Sequence, residues 1–303
     1  MTPVWMPALV CACGATTPAG FMTEAPPCSD CGRTCPSTEG VLQCLSADRR
    51  AKLRAFLDQY RAVRARDGYA RHDAAFYRTL PDVANDDPQR TVWRLRQRSF
   101  AELLRFLNAR PRQPATVLDL GAGNGWLCHR LSLAGCRVVA VDVLDDECDG
   151  LGAARHYDVA FARIRADFDD LPLAPRQFDV VVFNGSLHYA PNIGATLAHA
   201  AQCLVGDGAL AVLDSPTFTH AADGERMRAR LRDRFRRENG IADPVLPGAA
   251  YVTLGALAAS AGALGLSPRF SESTPAPVQA WRSLKARALN RAQSPRFGLW
   301  VAA

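Results

Sequence analysis

From residue 115 onward the chain alternates short apolar runs with amphipathic stretches. The runs at 115–120, 137–142, 161–166, 178–184 and 208–214 predict strands, because buried parallel strands read as nearly continuous apolar segments. Segments 126–134, about 146–156, 192–204 and 252–264 predict helices. This β-α-β alternation predicts a mostly parallel sheet with helices on both faces. Two late runs, about 266–272 and 296–302, predict further strands, with a helix between them carrying Trp281, Leu284, Ala288 and Leu289.

Upstream the period changes. Leu53, Phe56, Leu57, Tyr60 and Val63 follow helical spacing over 47–67, and Val92, Leu95, Phe100, Leu103, Leu104 and Leu107 do so over about 89–109. Tyr69, Tyr77 and the turn-like Asn85-Asp86-Asp87-Pro88 lie between. In 224–240, Met227, Leu231 and Phe235 recur every four residues among arginines. That spacing predicts an amphipathic helix with a basic outer face, and a basic face near a site would draw an acidic or phosphorylated acceptor.

The candidate chemistry centres on Val117-Leu118-Asp119-Leu120-Gly121-Ala122-Gly123-Asn124-Gly125. A predicted strand runs into glycines at alternate positions, and a predicted helix follows. Glycines let the backbone turn tightly and approach a ligand, and the helix start adds free N–H groups. Asp142 closes the second strand, 21 residues after Gly121, where an acid can accept from ribose hydroxyls. The glycines read G-x-G-x-G and not the G-x-G-x-x-G of dinucleotide folds. Asp167 closes the third strand, placed to meet the exocyclic amine of an adenine, with Phe168 against the ring.

Val117 to Gly125, Asp142, Ala166-Asp167-Phe168-Asp169-Asp170-Leu171-Pro172 and Phe178-Asp179-Val180-Val181-Val182-Phe183-Asn184 together resemble the successive motifs of class I S-adenosylmethionine-dependent methyltransferases. The resemblance implies a Rossmann-like α/β fold with a seven-stranded, mostly parallel sheet of order 3-2-1-4-5-7-6. It implies that Gly121 and Gly123 pass the methionine part of the cofactor, with Asn124 in the same loop. Asp142 would bind the ribose, Asp167 the adenine, and Asn184 would line the site. Asp119 would fix the glycine loop or the cofactor's amino group. His188 and Tyr189 follow the fourth strand, at the edge where ligands bind, and are the candidates for acceptor contact or proton removal. Asp214-Ser215-Pro216 faces the same crevice.

The first 45 residues read as a separate unit. Cys11-Ala-Cys13-Gly and Cys28-Ser-Asp-Cys31-Gly are two short Cys pairs, each followed by glycine. Four thiolates so spaced suit a tetrahedral, structural Zn²⁺. Cys35 and Cys44 are spare, and either is a substitute for one of the first pair. The expected organisation is a zinc ribbon over 1–45, a helical extension over 46–112 and an S-adenosylmethionine-binding domain over 113–303.

Net charge is +6, and the basic residues are almost all arginine, with Lys52 and Lys285 the exceptions. That balance does not by itself mark a nucleic-acid binder. A ribbon ahead of a methyltransferase domain also resembles bacterial rRNA guanine-N1 methyltransferases, which makes an RNA acceptor the second reading. The ribbon lacks the Cys-x-x-x-His pair of that family, and Phe21 is the only aromatic residue for base stacking within 7–45. A small-molecule acceptor is therefore the first reading. A non-catalytic zinc-ribbon binding protein is a third, and the intact glycines and acids oppose it. No apolar run reaches the ~20 residues of a membrane span. The N-terminus lacks a signal-peptide pattern, so a cytoplasmic location is expected.

Overall fold

The computed structural model describes residues 3–69, 71, 73–274, 278, 284 and 293–303. Strands β1 (Val4–Met6) and β2 (Gly20–Met22) pair antiparallel, and β3 (Ser37–Thr38) and β4 (Val41–Gln43) form a hairpin. Helices α1 (Ala47–Arg66), α2 (Ala74–Thr79) and α3 (Arg90–Asn108) follow. The alternating part comprises β5 (Thr116–Leu120), α4 (Trp126–Leu133), β6 (Arg137–Asp142), β7 (Ala162–Arg165), β8 (Phe178–Asn184), α5 (Ile193–Gln202) and β9 (Leu204–Leu213). Beyond it lie β10 (Thr217–Phe218), α6 (Ala221–Asn239), β11 (Val252–Thr253), α7 (Leu254–Ala263), β12 (Pro268–Glu272) and β13 (Gly298–Ala302). The helix expected around Trp281, Ala288 and Leu289 falls on positions outside the described residues.

The main sheet runs β12-β13-β9-β8-β5-β6-β7-β4-β3. Its first seven strands are the expected set in the expected order, with β13 antiparallel to β9 and to β12. The count differs from seven because β4 pairs in parallel with β7, through Leu42↔Ile164 and Gln43↔Arg165, and β3 pairs with β4. The hairpin turns at Glu39 and Gly40, both at positive φ, as a tight two-residue connection requires. Residues 37–43, read from the sequence as the end of the ribbon, thus sit on the edge of the main sheet.

Alternation along the strands builds a core on each face. Leu118, Val139, Val181 and Leu210 pack with α5 and α7 through Leu197 and Leu257. Val117, Val138, Val180 and Ala209 pack with α3 and α4 through Trp93, Leu103 and Leu127. Met6 and Leu9, from the Cys-rich segment, join the first of these cores. Among the described residues no helix is long and apolar enough to cross a membrane.

One expected helix is shorter than its pattern. Of 146–156, only Leu151–His156 is helical, as a 3-10 turn. The Asp146 carboxylate accepts from the amides of Cys148 (3.1 Å) and Asp149 (2.8 Å), a local alternative to helical bonding.

Candidate active site

The parallel strands β5, β6, β7 and β8 deliver their carboxyl ends to one side of the sheet. There a cavity of about 270 Å³ is lined by Gly121, Gly123, Asn124, Asp142, Asp167, Phe168, Asn184, His188 and Tyr189, with α1 as its cover. The glycine turn forms its floor. Gly121, Gly123 and Gly125 all have positive φ, which glycine adopts without steric cost. A Cβ on Gly121 would lie 2.3 Å from the Cβ of Ser186, so β5 and the segment after β8 touch there. Gly125 caps α4, whose N-terminus follows the turn.

The acids differ in their surroundings. Asp142 Oδ2 accepts from Gly123 N (2.7 Å) and Oδ1 from Leu144 N (2.8 Å). Burial raises its pKa to about 6 against these two backbone bonds. Asp167 Oδ1 accepts from Asp169 N (2.9 Å), and Oδ2 accepts from Arg49 Nε (2.5 Å). The Phe168 ring meets Phe183 edge-on at 6.0 Å. Asn124 Oδ1 accepts from Trp126 N (3.2 Å). Asp119 is fully buried beneath the glycine turn and does not line the cavity. Cys128 Sγ donates to it at 3.3 Å, its Oδ1 has no hydrogen-bond partner among the described residues, and burial raises its pKa to about 7.

His188 and Tyr189 sit on a 3-10 turn, Leu187–Tyr189, directly after β8. Ser215 Oγ lies 3.3 Å from His188 Nδ1. Burial pushes the imidazole down to about 4, so it is neutral at physiological pH. Asp214 has φ of 52 and receives Ser99 Oγ at 2.6 Å.

Several lining residues are not among the sequence's site candidates, because the Tyr and Arg residues of the first helices read there as packing or solvated positions. Arg49, Arg64 and Tyr60 come from α1, Arg96 from α3 and Asp149 from the loop after β6. Arg64 grips Asp149 with two hydrogen bonds, Nη2 donating to Oδ1 at 2.8 Å, and its guanidinium lies 3.4 Å from the Tyr69 ring centre. A signal was present: 49, 53, 56, 60 and 64 share one helical stripe, so Arg49 and Arg64 belong to the apolar face of α1 and not to its solvent side.

Far from this cavity in the chain, the Sγ atoms of Cys11, Cys13, Cys28 and Cys31 lie within 4.8 Å of one another. Four soft donors so gathered fit a zinc ribbon. Cys35 and Cys44 stand outside that group and face each other, Sγ to Sγ 2.8 Å.

The family described as "Methyltransferase domain" matches residues 92–258. A malonyl-[acyl-carrier protein] O-methyltransferase of Pseudescherichia vulneris is 30% identical over 162 residues, covering 49% of this chain and 59% of that protein. A trans-aconitate 2-methyltransferase of Streptomyces avermitilis is 30% identical over 176 residues, 54% of this chain and 65% of that protein. The chain thus spans less than two thirds of the length of either relative. Among solved structures, 1,6-didemethyltoxoflavin-N1-methyltransferase of Burkholderia thailandensis aligns with a TM-score of 0.48 at 19% identity, over 91% of this chain and 97% of that one. With the family match spanning more than half its length, this chain belongs to the class I S-adenosylmethionine-dependent methyltransferases.

Proposed function

We propose that the protein transfers a methyl group from S-adenosylmethionine to a small-molecule acceptor. The observation that carries this reading is the convergence of the Gly121–Gly125 turn, Asp142, Asp167, Asn184 and His188 on one cavity at the carboxyl edge of the sheet. In this reading the glycine turn and Asn124 carry the methionine part, Asp142 takes the ribose hydroxyls, and Asp167 with Phe168 takes the adenine. Arg96 lines the same cavity from α3 and is the cation available to the methionine carboxylate. Asp119 supports the glycine turn from below.

Methyl transfer from a sulfonium is an in-line displacement. The acceptor's lone pair forms the new bond to the methyl carbon as the C–S bond breaks, and that electron pair returns to sulfur. The enzyme's work is to align the acceptor behind the methyl and exclude water. A proton lost by the acceptor passes to the neutral imidazole of His188. Burial raises the Tyr189 phenol above its ordinary range, so Tyr189 acts as a hydrogen-bond donor and an apolar wall. Cys11, Cys13, Cys28 and Cys31 would hold a structural Zn²⁺ with all four positions filled by protein, leaving it no part in the chemistry.

Both relatives are named for acidic acyl or carboxylate acceptors. The basic face of α6 is neutralised only in part, since four of its seven arginines have carboxylate partners among the described residues. Arg226, Arg228, Arg234 and Arg236 pair with Asp223, Glu225, Asp67 and Glu238, and Asp233 respectively.

Calorimetry with S-adenosylmethionine against NAD tests the cofactor, and Asp142→Ala tests the site. Binding of the first alone, lost in the variant, is expected; binding of NAD in its place sinks the reading. Tritiated-methyl transfer into fractionated cell extract then reads the acceptor class, with label expected in small molecules and not in RNA or protein.

A further inference from the structure

A second cavity, of about 300 Å³, opens between α1 and α6. It is at the small end of the ~300–1,000 Å³ typical of ligand pockets. Phe56, Tyr60, Arg64, His188, Tyr189 and Pro216 line both cavities, so these six residues form the partition between them. The outer wall is the apolar stripe of α6, Met227, Leu231 and Phe235. Rings crowd the partition: Phe56 and Tyr60 stand 5.6 and 6.0 Å from Tyr189, and His188 stands 4.2 Å from it.

The charges of this second cavity cancel. Among the described lining residues the full cations are Arg64 and Arg234. Arg64 is committed to Asp149 by two hydrogen bonds, and Arg234 to Asp67 (2.5 Å) and Glu238 (2.8 Å). Asp67, the one carboxylate among those described lining residues, is the partner of Arg234. Gln59 is also engaged, donating to Asp243 O at 3.0 Å and accepting from Val245 N at 2.8 Å. No cation of the described lining is left for an acceptor's carboxylate or phosphate, and an unpaired buried anion is costly.

We infer that the cavity between α1 and α6 is the acceptor chamber, and that it takes an uncharged aromatic molecule bearing a hydroxyl or ring N–H, with that group at the His188–Tyr189 partition. This rests on the methyltransferase reading, and it narrows the acceptor away from the acidic class. Offset or edge-on ring contacts with Tyr60, Tyr189 and Phe235 hold the acceptor's body. The reacting oxygen or nitrogen reaches between these shared side chains into the cofactor cavity, forms its bond to the methyl carbon as the C–S bond breaks, and gives up its proton to His188.

The test is calorimetric titration of 2-naphthol and of 2-naphthoate into the full chain, each with and without S-adenosylhomocysteine. These probes share a ring system and differ in charge. 2-Naphthol is expected to bind, and 2-naphthoate to bind at least about tenfold more weakly. Leu231→Trp, which fills the chamber, is expected to abolish naphthol binding and leave S-adenosylhomocysteine binding unchanged. Asp67→Asn, which removes one partner of Arg234, is expected to improve 2-naphthoate binding several-fold and leave 2-naphthol unchanged. Equal or tighter binding of 2-naphthoate by the unaltered protein, no binding of 2-naphthol, or naphthol binding that survives a folded Leu231→Trp overturns the inference. Failure of S-adenosylhomocysteine to bind overturns the methyltransferase reading instead, and the naphthol titrations without it still decide the chamber.

Discussion

The Arg49 guanidinium and the Asp167 carboxylate meet at 2.5 Å, joining the first turn of α1 to the loop after β7. Asp167 is almost fully shielded and Arg49 about one third exposed. The carboxylate assigned to the adenine amine therefore already has a charged partner, and α1 is tied down over the cavity by it. Cofactor binding must share or displace that bond. Arg49→Ala is expected to tighten S-adenosylhomocysteine binding by about three- to tenfold, since a charge-assisted hydrogen bond no longer competes. Calorimetry decides it; weaker binding would make Arg49 itself a cofactor contact.

Asp119 predicts a pH dependence of stability. Its pKa rises from 3.8 to about 7 on burial. The folded state therefore holds a proton that the unfolded state releases, and stability falls as pH rises from about 4 to 7. Asp119→Asn removes this titration. Its stability relative to the unaltered protein is expected to improve between pH 5 and pH 8, by on the order of 2–4 kcal/mol. Urea unfolding at the two pH values measures it, and a difference that does not change with pH would count against a buried proton on Asp119.

Gly121 carries both a backbone and a packing requirement. With φ of 77 and Ser186 Cβ 2.3 Å from a would-be Cβ, Gly121→Ala must strain the chain and push β5 away from the segment after β8. A loss of about 2–4 kcal/mol is expected, together with loss of S-adenosylhomocysteine binding. Gly240 also has positive φ, at 67, but no atom lies within 4 Å of its would-be Cβ. Gly240→Ala should therefore cost only about 1 kcal/mol, through backbone strain, and spare the site. Equal losses in the two variants would leave the Ser186 contact without energetic weight.

A metal held by Cys11, Cys13, Cys28 and Cys31 would be coupled to the candidate active site, and its removal is expected to be felt there. Cys44 N donates to Arg165 O at 3.0 Å, and Ser46 caps α1 through Arg49 N at 3.2 Å. The Cys-rich segment thus leads without a break into the β4 edge and the helix that covers the cavity. Chelation at pH 7, or Cys28→Ser, is expected to lower the melting temperature and to weaken S-adenosylhomocysteine binding several-fold, with one zinc per chain lost by metal analysis. Unaltered affinity in the stripped protein would show the two regions to be uncoupled.

The alternating part of the fold was legible because strands such as Val138–Val141 are continuous apolar runs and each ends on an acid or a glycine turn. The same local logic located Asp142, Asp167 and Asn184, which lie at strand ends. It did not extend to Arg49, Arg64 or Asp149. Their roles come from pairs separated by 118 and 85 positions, and in an arginine-rich chain an arginine alone carries little information. The basic face of 224–240 was visible, but the carboxylate of Asp67, 167 residues from Arg234, was not included in its pattern. The hairpin at 37–43 was missed because its strands are two and three residues long, too short for periodicity to register.

That hairpin makes the N-terminal segment inseparable from the enzyme it precedes. A chain trimmed at residue 45, as a modular design would cut it, loses β4 and leaves β7 as a bare edge. The unpaired amides and carbonyls of such an edge recruit other chains. Met6, Leu9 and Leu42 would leave the main core in the same cut. The trimmed protein should therefore aggregate on expression where the full chain stays dispersed. For this fold, the Cys-rich region acts as an outer course of the sheet, laid at synthesis before the strand it protects.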